Sequence, residues 1–335
     1  MAPLIPFIEV PELPLSFLKY VPLVNQAINP AHPPTIKPFG TLVAIGVYIG
    51  SIVAMSHARQ RGLNEKKMSE FIFWTVGIGF IGGHVLDAIF YHPDRVMKDP
   101  LYLLMLWEGL SSYGGFIGAL CGALAWRFSR KEPILGYIEC VASAFPLAWV
   151  FGRAGCASVH DHPGRLSDAW FAVQWPHGNS HVGRFDLGLI EMVLTIPMAV
   201  AFWILWKKRP LRPLGFYLGI MCSAYAPVRF FLDFLREDEH DRLLSGDPRY
   251  AGLTPAQWAC FGLLGAGIYF LRMWKKSLDA GEDEGATTPS SSPQIEVALA
   301  TGTSPIAEES SEQEAAPLTT SAIVGEEKTP TSPRQ

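Results

Sequence analysis

Seven apolar blocks, each close to the length of a membrane span, constrain the fold of this chain more than any other feature. A helix needs about 20 apolar residues to cross the hydrocarbon core of a bilayer. Charged residues make up only 17% of the 335 residues, against about 25% in a typical soluble protein. We therefore predict an all-α polytopic integral membrane protein with about seven transmembrane helices. The predicted spans are 39–56, 70–91, 103–126, 134–152, 187–206, 214–234 and 255–274.

Lysine and arginine residues predict how these spans are oriented. They are concentrated in the loops that follow the first, third, fifth and seventh spans, while the opposite side mixes basic residues with many acidic ones. Positively charged loops tend to stay in the cytoplasm during membrane insertion. We therefore expect the N-terminus to lie outside and the C-terminus to be cytoplasmic.

Composition divides the chain into three regions. Residues 1–38 are rich in proline and apolar residues, and we expect them on the outer membrane surface. Residues 39–276 contain all the predicted spans. Residues 277–335 are rich in Ser, Thr, Pro and Glu, a composition that cannot bury enough apolar surface to order itself. This last region is therefore predicted to be a disordered, acidic cytoplasmic tail.

A polar segment, Gly152–Arg165, interrupts the apolar pattern directly after the fourth predicted span. One Gly-Arg pair opens it and another closes it, with a cysteine, two histidines and an aspartate between them. An arginine at the end of a membrane helix is costly to hold there, so it usually has a functional partner. We expect that partner to be an anion.

Residues 107–118 form a second polar interruption, with two serines and a Gly-Gly pair. Such a composition suits a broken or re-entrant backbone, which is tolerated at membrane depth where it lines a cavity or is buried in protein. Close packing of helices through small residues is the alternative explanation.

Two further groups of polar residues lie at the ends of later spans. Glu191 lies inside the outer end of the fifth predicted span, where it is either an interfacial anchor or a site residue that needs a partner. Tyr225, Arg229, Asp233 and Arg236 share one helical face. Arg229 and Asp233 form either a self-contained ion pair or a portion of an arginine cluster. Because arginine is a preferred bidentate ligand of phosphate, and lipid headgroups are the nearest phosphates, the cluster points to a phospholipid.

These segments resemble the motifs of the prolipoprotein diacylglyceryl transferase family, over roughly residues 39–274. The family pattern Gly-Arg-x-Gly-Asn-Phe-x-Asn-x-Glu-x-x-Gly-Arg aligns without a gap on 152–165, but Cys156, Val159 and Asp161 replace Asn, Asn and Glu. Its Tyr-x-x-x-Arg-Phe-x-x-Glu-Phe-x-Arg aligns on 225–236, with Asp233 in place of Glu. Its Ser-Phe-His-Gly-Gly aligns on 111–115, with Tyr113 in place of His. Arg184 and Glu191 match a fourth motif, and His84 follows Gly-Gly where the family usually has arginine.

The resemblance implies seven spanning helices with a small outer head after the fourth. It also implies an enzyme of the bacterial inner membrane that transfers the diacylglyceryl group of phosphatidylglycerol to the lipobox cysteine of prolipoprotein signal peptides, releasing glycerol 1-phosphate. The site would face the outer leaflet or periplasm. Membrane lipids are expected as partners, and no nucleic acid, cofactor or metal is expected. The catalytic residues implied are Tyr113, Arg153, Asp161 and Arg229; the substrate-binding residues are Arg153, Gly114, Gly115, Gly164, Arg165, Glu191, Tyr225, Asp233 and Arg236.

The departures from the family motifs leave the proton acceptor open. A phenol has a pKa of about 10, so Tyr113 would be a poor base, although it can donate a hydrogen bond. His160 or His162 would be the base instead, unless both are ordinary loop residues. A weak or inactive relative that binds lipid headgroups, or acts on another acceptor, is the alternative function.

Three more distant alternatives remain at this stage. The buried charges fit a transporter, although the outer-facing arginines form no path to the cytoplasm. Cys156 and His160 have the spacing of a nucleophile pair. A metal could be bound by residues whose side chains are all potential ligands: His160, Asp161, His162, His177 and His181. The five cysteines form no CxxC pair, so their spacing predicts no zinc framework.

Overall fold

The structure, a computed structural model, describes residues 3–14, 35–105, 109–177, 180–208, 211–237 and 249–280. Most of these residues are helical. The long helices are α1 (Pro38–Gln60), α2 (Glu65–Tyr91), α4 (Ser112–Arg130), α5 (Leu135–Val159), α6 (Leu187–Lys208), α7 (Phe216–Leu232) and α8 (Pro255–Asp279). A short helix, α3 (Pro93–Lys98), and two 3₁₀ turns, Pro100–Leu104 and Asp233–Leu235, complete the helical elements of the described ranges.

Five helices within the described ranges are long and apolar enough to cross a membrane, namely α1, α2, α5, α6 and α7. Each coincides with a predicted span, and this confirms a mostly helical protein with several membrane-crossing segments. Helices α4 and α8 coincide with the other two predicted spans, whose crossing of the membrane stays a prediction.

Helix α4 begins nine residues later than the predicted third span, at Ser112 instead of residue 103. The backbone from Pro100 to Leu104 forms a 3₁₀ turn, which Asp99 caps by accepting a hydrogen bond from the Leu101 N–H. The Ser111 side chain then caps α4 by accepting from the Gly114 N–H. The predicted span 103–126 looks continuous from its composition. Capping by the side chains of Asp99 and Ser111 instead divides it into a 3₁₀ turn and helix α4. Trp107 and Glu108 of this interruption lie outside the described residues.

The all-α prediction was wrong in one region, since a four-stranded sheet connects α5 to α6. Its strands are β1 (Ile5–Pro6), β4 (Pro163–Leu166), β5 (Val173–His177) and β6 (Ser180–Asp186), in the order β1-β5-β6-β4. Strand β1 pairs parallel to β5, and the other pairs are antiparallel. A separate pair is formed by β2 (Leu13–Pro14) and β3 (Thr35–Ile36). These strands are too short to have an apolar signal comparable with that of the spans.

Helices α2 and α4 pack closely through glycines. A Cβ atom added to Gly114 would lie 2.4 Å from the carbonyl oxygen of Gly82, and one added to Gly118 would lie 2.5 Å from that of Ile78. Gly122 is similarly close to the Trp74 carbonyl oxygen, at 2.4 Å. Because glycine lets backbones approach this closely, the close-packing explanation holds for Gly114 and Gly118 of this segment.

The basic connections after α1, α4 and α6 meet at the end of the helices away from the sheet. Arg61 donates a hydrogen bond to the Arg212 carbonyl oxygen at 2.9 Å. The Lys67 ammonium contacts Glu132, and Arg130 Nε lies 3.0 Å from Glu70 Oε2. The loops that carry the basic residues therefore lie together, on one side of the helical bundle.

The predicted domain boundaries stay predictions. Strand β1 ties the start of the chain to the sheet through β5, while residues 15–34 lie outside the described ranges. Helix α8 ends at Asp279, and the tail from 281 onward lies outside the described residues.

We expect Gly118→Ala to destabilise the protein by about 1–3 kcal/mol, because the added methyl group overpacks the α2–α4 contact. The matched control is Gly77→Ala, at a position in α2 where a Cβ meets nothing within 4 Å. That control should be neutral or stabilising by up to about 1 kcal/mol, since alanine favours helix. Thermal unfolding in detergent measures both variants. Equal stability of the two would contradict the close approach of α2 and α4.

Candidate functional site

A large cavity of about 1070 Å³ lies among α2, α4, α5, α7 and α8. Its end near the sheet is polar and includes Tyr113, Arg153 and Arg229. Its other end is lined by apolar side chains such as Leu120, Phe145 and Leu263. Cavities that bind small ligands typically have volumes of about 300–1,000 Å³, so this one has room for a large amphipathic molecule.

The carboxylate of Glu191 organises the polar end of this cavity. It is 1% exposed and lies in the second turn of α6. Its Oε1 accepts hydrogen bonds from the Tyr225 hydroxyl at 2.5 Å and from Trp149 Nε1 at 3.0 Å. Arg153 Nε lies 3.0 Å from the same oxygen, and Arg229 Nη1 lies 3.8 Å from Oε2. One carboxylate therefore joins side chains of α5, α6 and α7.

Asp233 has the same role as Glu191, at a position four residues beyond Arg229. Arg229 Nη2 lies 3.2 Å from Asp233 Oδ1, and Arg236 Nε donates to the same oxygen at 2.5 Å. The other oxygen, Oδ2, accepts a hydrogen bond from the Thr254 hydroxyl at the start of α8. Arg229 and Asp233 do form an ion pair, but the pair is not self-contained, because Asp233 also binds Arg236 and Thr254 and Arg229 also faces Glu191.

The cluster carries more positive than negative charge. Arg153, Arg229 and Arg236 all line the cavity, whereas the two carboxylates that hold them, Glu191 and Asp233, are almost fully buried. Coulombic interactions are stronger where water is excluded. The arrangement therefore favours an anion with several oxygen atoms, such as a phosphate, at the polar end of the cavity.

Two residues that support this cluster were not found from the sequence. Trp149 lies one turn before Arg153 in α5, and its ring lies under the guanidinium with 4.5 Å between the Arg153 Cζ and the ring centroid. Thr254 begins the capping box of α8 while its hydroxyl holds Asp233. The four-residue spacing of Trp149 and Arg153 was a usable signal, since such pairs share a helix face. Thr254 and Asp233 are far apart in the sequence, so no sequence pattern indicated their contact.

The two histidines of the 152–165 segment have different surroundings. His160 Nδ1 lies 2.5 Å from Asp186 Oδ2, and its Nε2 lies 3.2 Å from the Ile8 carbonyl oxygen. Its ring stacks on Phe7 with 3.9 Å between centroids. Burial raises the pKa of Asp186, despite hydrogen bonds from His160 and from the Leu189 N–H. His160 therefore ties the sheet to the start of α6.

His162 faces the cavity, and so does Asp161. The His162 Nδ1 atom contacts the Asp161 carboxylate. Cys156, which is buried in α5, has its Sγ atom 3.6 Å from Arg153 Nη1. Because both ring nitrogens of His160 have other neighbours, the geometry does not favour the Cys156–His160 nucleophile pair. The five-residue metal set is also divided, since His177 and His181 lie on the exposed β5–β6 hairpin.

The remaining predicted site residues, Gly114, Gly115, Gly164 and Arg165, are not among the side chains that line the cavity. Gly164 forms a backbone bridge with Arg236, and its carbonyl oxygen accepts from Arg184 Nη1 at 2.8 Å. Arg165 is exposed on β4, and Gly114 is buried against α2. In the same α4 segment, Ser111, Ser112 and Tyr113 line the cavity. Gly115 follows Gly114 in α4, and a Cβ atom there would meet nothing nearer than 4.0 Å.

His84, which stands at the family's arginine position, is fully buried in α2. Its Nε2 lies 2.9 Å from the Tyr102 carbonyl oxygen, and its Nδ1 lies 3.3 Å from that of Gly109. Gly109 has a φ of +47°, and a Cβ there would lie 2.2 Å from the Asp87 carboxylate. These contacts hold the segment that leads to Tyr113 and the cavity wall.

Comparison with known proteins identifies the family of this chain. A family model described as prolipoprotein diacylglyceryl transferase matches residues 26–273. The chain belongs to the prolipoprotein diacylglyceryl transferase family. A relative from Sinorhizobium medicae is 26% identical over 238 residues, 68% of this chain and 85% of the relative. One from Idiomarina loihiensis is 30% identical over 221 residues, 65% of this chain and 80% of the relative. Both are named phosphatidylglycerol–prolipoprotein diacylglyceryl transferase.

Residues from all four family motifs lie close together in the structure. The motifs come from four separate stretches of the chain, yet Tyr113, Arg153, Tyr225 and Arg229 all line one cavity. Glu191, from the remaining motif, lies directly behind the two arginines. The departure from the family motif at Cys156 lies beside Arg153.

We expect Glu191→Gln to lower the free energy of unfolding by about 3–5 kcal/mol, because it leaves the buried Arg153 without its counter-charge, whereas Arg229 keeps Asp233. The matched control is Glu65→Gln, whose carboxylate pairs with Arg59 at 2.8 Å on the surface. An exposed pair contributes about 0–1 kcal/mol, so the control should unfold almost like the unaltered protein. Denaturation in detergent compares them. A Glu191→Gln protein as stable as the control would show that the arginines do not depend on this carboxylate.

Proposed function

We propose that this protein transfers the diacylglyceryl group of phosphatidylglycerol to the cysteine thiol of a prolipoprotein and releases glycerol 1-phosphate. The observation that carries this proposal is the amphipathic cavity, with three arginines at one end and apolar side chains at the other. That polarity matches a phospholipid, whose headgroup is anionic and whose tails are apolar. The names of the relatives supply the acceptor.

The proposed setting is the bacterial inner membrane, crossed by seven helices. Helices α4 and α8 line the same cavity as the apolar helices α2, α5 and α7, which supports counting both as spans. With the basic loops in the cytoplasm, the sheet and the arginine cluster face the outer leaflet or periplasm. The lipobox cysteine of a signal peptide would approach from that side.

In this proposal the arginines bind the phosphate of the lipid. Arg153, Arg229 and Arg236 surround the polar end, and the acyl chains extend toward Leu120 and Phe145. Glu191 and Asp233 orient these guanidiniums and lower their conformational freedom, so that they are preorganised for the anion. Arginine suits this task because its planar fork matches two phosphate oxygens.

The reaction exchanges one bond for another at the glycerol carbon that bears the phosphate. The sulfur of the acceptor forms a bond to this carbon while the carbon–oxygen bond breaks and the electron pair leaves with glycerol 1-phosphate. Negative charge therefore grows on the phosphate in the transition state. Preorganised cations aimed at that charge are a large source of catalysis, and Arg153 and Arg229 are the best-placed ones.

The thiol must also lose its proton, because the thiolate is the nucleophile. His160 is engaged by Asp186 and Ile8, whereas Asp161 and His162 face the cavity. We assign deprotonation of the thiol to the Asp161–His162 pair. Tyr113 lines the cavity from α4, where its hydroxyl would orient the phosphate or the leaving group by donating a hydrogen bond.

We expect Arg153→Ala to reduce transfer to a lipobox peptide by at least about 100-fold, as loss of a donor to a developing charge does. Arg153→Lys keeps the charge but loses the fork, and should also be severely impaired. Arg127→Ala, at an exposed position of α4, is the control and should retain full activity. Membranes with each variant are supplied with phosphatidylglycerol, and the thioether product is measured by mass spectrometry.

Absence of any thioether product from the unaltered, well-expressed protein would overturn the transferase proposal. Binding of phosphatidylglycerol by that same protein, lost in Arg153→Ala, would then favour the alternative of an inactive headgroup-binding relative. Complementation of cells depleted of their own transferase provides an independent measurement.

We expect His162→Gln to lose most activity and Tyr113→Phe to retain most of it, because only the former belongs to the pair assigned to deprotonation. The control is His177→Gln, on the exposed hairpin, which should be as active as the unaltered protein. The rate is measured with the lipobox peptide at saturating lipid. A severe loss in Tyr113→Phe together with an active His162→Gln protein would move the proton transfer to the phenol.

A further inference from the structure

Three carboxylates of the described residues line the cavity, and two of them are already engaged. Asp161 contacts His162, and Glu237 Oε1 accepts a hydrogen bond from Arg184 Nη1 at 3.0 Å. The third is Asp87, whose Oδ2 atom is buried and has no hydrogen-bond donor among the described residues. Buried polar atoms nearly always have a hydrogen-bond partner, and leaving one unpaired costs free energy. This carboxylate therefore points to a ligand that donates hydrogen bonds.

A histidine lies close to this carboxylate without bonding to it. Asp87 belongs to the last turn of α2, and His92 follows the end of that helix. His92 Nε2 lies 3.8 Å from Asp87 Oδ2, which is too far for a hydrogen bond. Both side chains line the cavity. A hydroxyl group suits this gap, because it donates one hydrogen bond and accepts others at the same time.

The start of α4 adds hydroxyl groups to the same wall. Ser111 and Ser112 line the cavity. The Ser111 N–H donates to the Gly83 carbonyl oxygen at 3.1 Å, one turn of α2 before Asp87. A serine hydroxyl both donates and accepts, whereas an arginine only donates. The wall formed by α2 and α4 therefore has the acceptors that the arginine cluster lacks.

This mixed set of groups suits a diol better than an amine. The hydroxyls of a diol donate to the carboxylate and accept from serine and histidine. An ammonium group only donates, so it would leave those donors unmatched. The headgroup of phosphatidylglycerol carries such a diol, on the two carbons farthest from the phosphate ester. No part of the arginine cluster can accept a hydrogen bond from it.

We infer that Asp87 binds the two hydroxyls of the phosphatidylglycerol headgroup and thereby selects this lipid. The inference rests on the proposed transfer reaction for its substrate. The arginines bind the phosphate, the apolar end of the cavity takes the acyl chains, and Asp87 with His92 holds the glycerol that leaves as glycerol 1-phosphate. Asp87 determines specificity and takes no part in the exchange of bonds. It lies outside the family motifs, so no motif in the sequence indicated it.

The test compares two lipids that differ only in these hydroxyls. Phosphatidylpropanol keeps the phosphodiester and a three-carbon headgroup but has no hydroxyl on it. We expect the unaltered protein to use phosphatidylglycerol at least about 10-fold more efficiently, measured as kcat/KM, because hydrogen bonds to a charged group are lost with the other lipid. Asp87→Ala should bring this ratio to about one, mainly through a higher KM for phosphatidylglycerol, since the contact is already made in the bound lipid.

Two further variants accompany Asp87→Ala. Asp94→Ala is the matched control, because Asp94 is exposed in the first turn of α3 and is not among the residues that line the cavity. It should keep the full preference for phosphatidylglycerol. Asp87→Asn has the same shape as the original side chain and retains one uncharged acceptor, so it should fold normally and have an intermediate ratio.

The ratio of the two lipids separates recognition from a structural role. An Asp87→Ala protein that loses activity with both lipids in the same proportion, or that keeps the full preference, would overturn the diol site and leave the transferase proposal intact. More efficient use of phosphatidylethanolamine than of phosphatidylglycerol by the unaltered protein would also overturn it, in favour of a site for an ammonium group.

Binding tests the diol site independently of the reaction. In native mass spectrometry, the purified unaltered protein should retain phosphatidylglycerol in preference to phosphatidylpropanol, and Asp87→Ala should retain both equally. Such a result without any thioether product would overturn the transferase proposal and support the diol site. Equal retention of the two lipids by the unaltered protein would overturn the diol site.

Discussion

The buried carboxylate of Glu191 is the interaction on which the rest of the site depends. Its two oxygens face two arginines from different helices, together with the hydroxyl of Tyr225 and the indole of Trp149. An arginine in an apolar bundle is stable only when its charge has a partner. Glu191 provides one, and Arg153 and Arg229 still line the cavity. The same carboxylate thus joins α5, α6 and α7 and holds both arginines at the cavity wall.

One end of the cavity is lined by polar side chains and the other end by apolar ones. Its polar end carries the arginines, and its apolar end follows the inner surfaces of the helices. A phospholipid has the same division. The corner formed by Cys156, Asp161 and His162 lies where the headgroup region meets the sheet side of the protein. There the Asp161–His162 pair would take the proton of the acceptor thiol while the arginines bind the phosphate, so the two groups would act on opposite partners of one displacement.

Much of the fold was predictable because membrane spans have a strong local signal. The seven apolar blocks coincide with seven long helices of the described residues, since length and hydropathy are properties of contiguous residues. The sheet was not predictable in this way, because Pro163–Leu166 and Ile5–Pro6 are short and pair with strands that are distant in sequence. The late start of α4 was missed because it depends on capping by Asp99 and Ser111.

The sequence by itself determined that this chain belongs in a membrane and that its arginines need an anion. Its helical spacing predicted that Tyr225, Arg229, Asp233 and Arg236 share one face, but α7 ends at Leu232, Asp233 begins a 3₁₀ turn and Arg236 is extended. Only the tertiary structure decided that Arg153 and Arg229 share Glu191, that Thr254 holds Asp233, and that His162 faces the cavity while His160 ties the sheet to α6. Such pairings depend on how separate helices pack, and no local pattern encodes which distant residue will satisfy a buried charge.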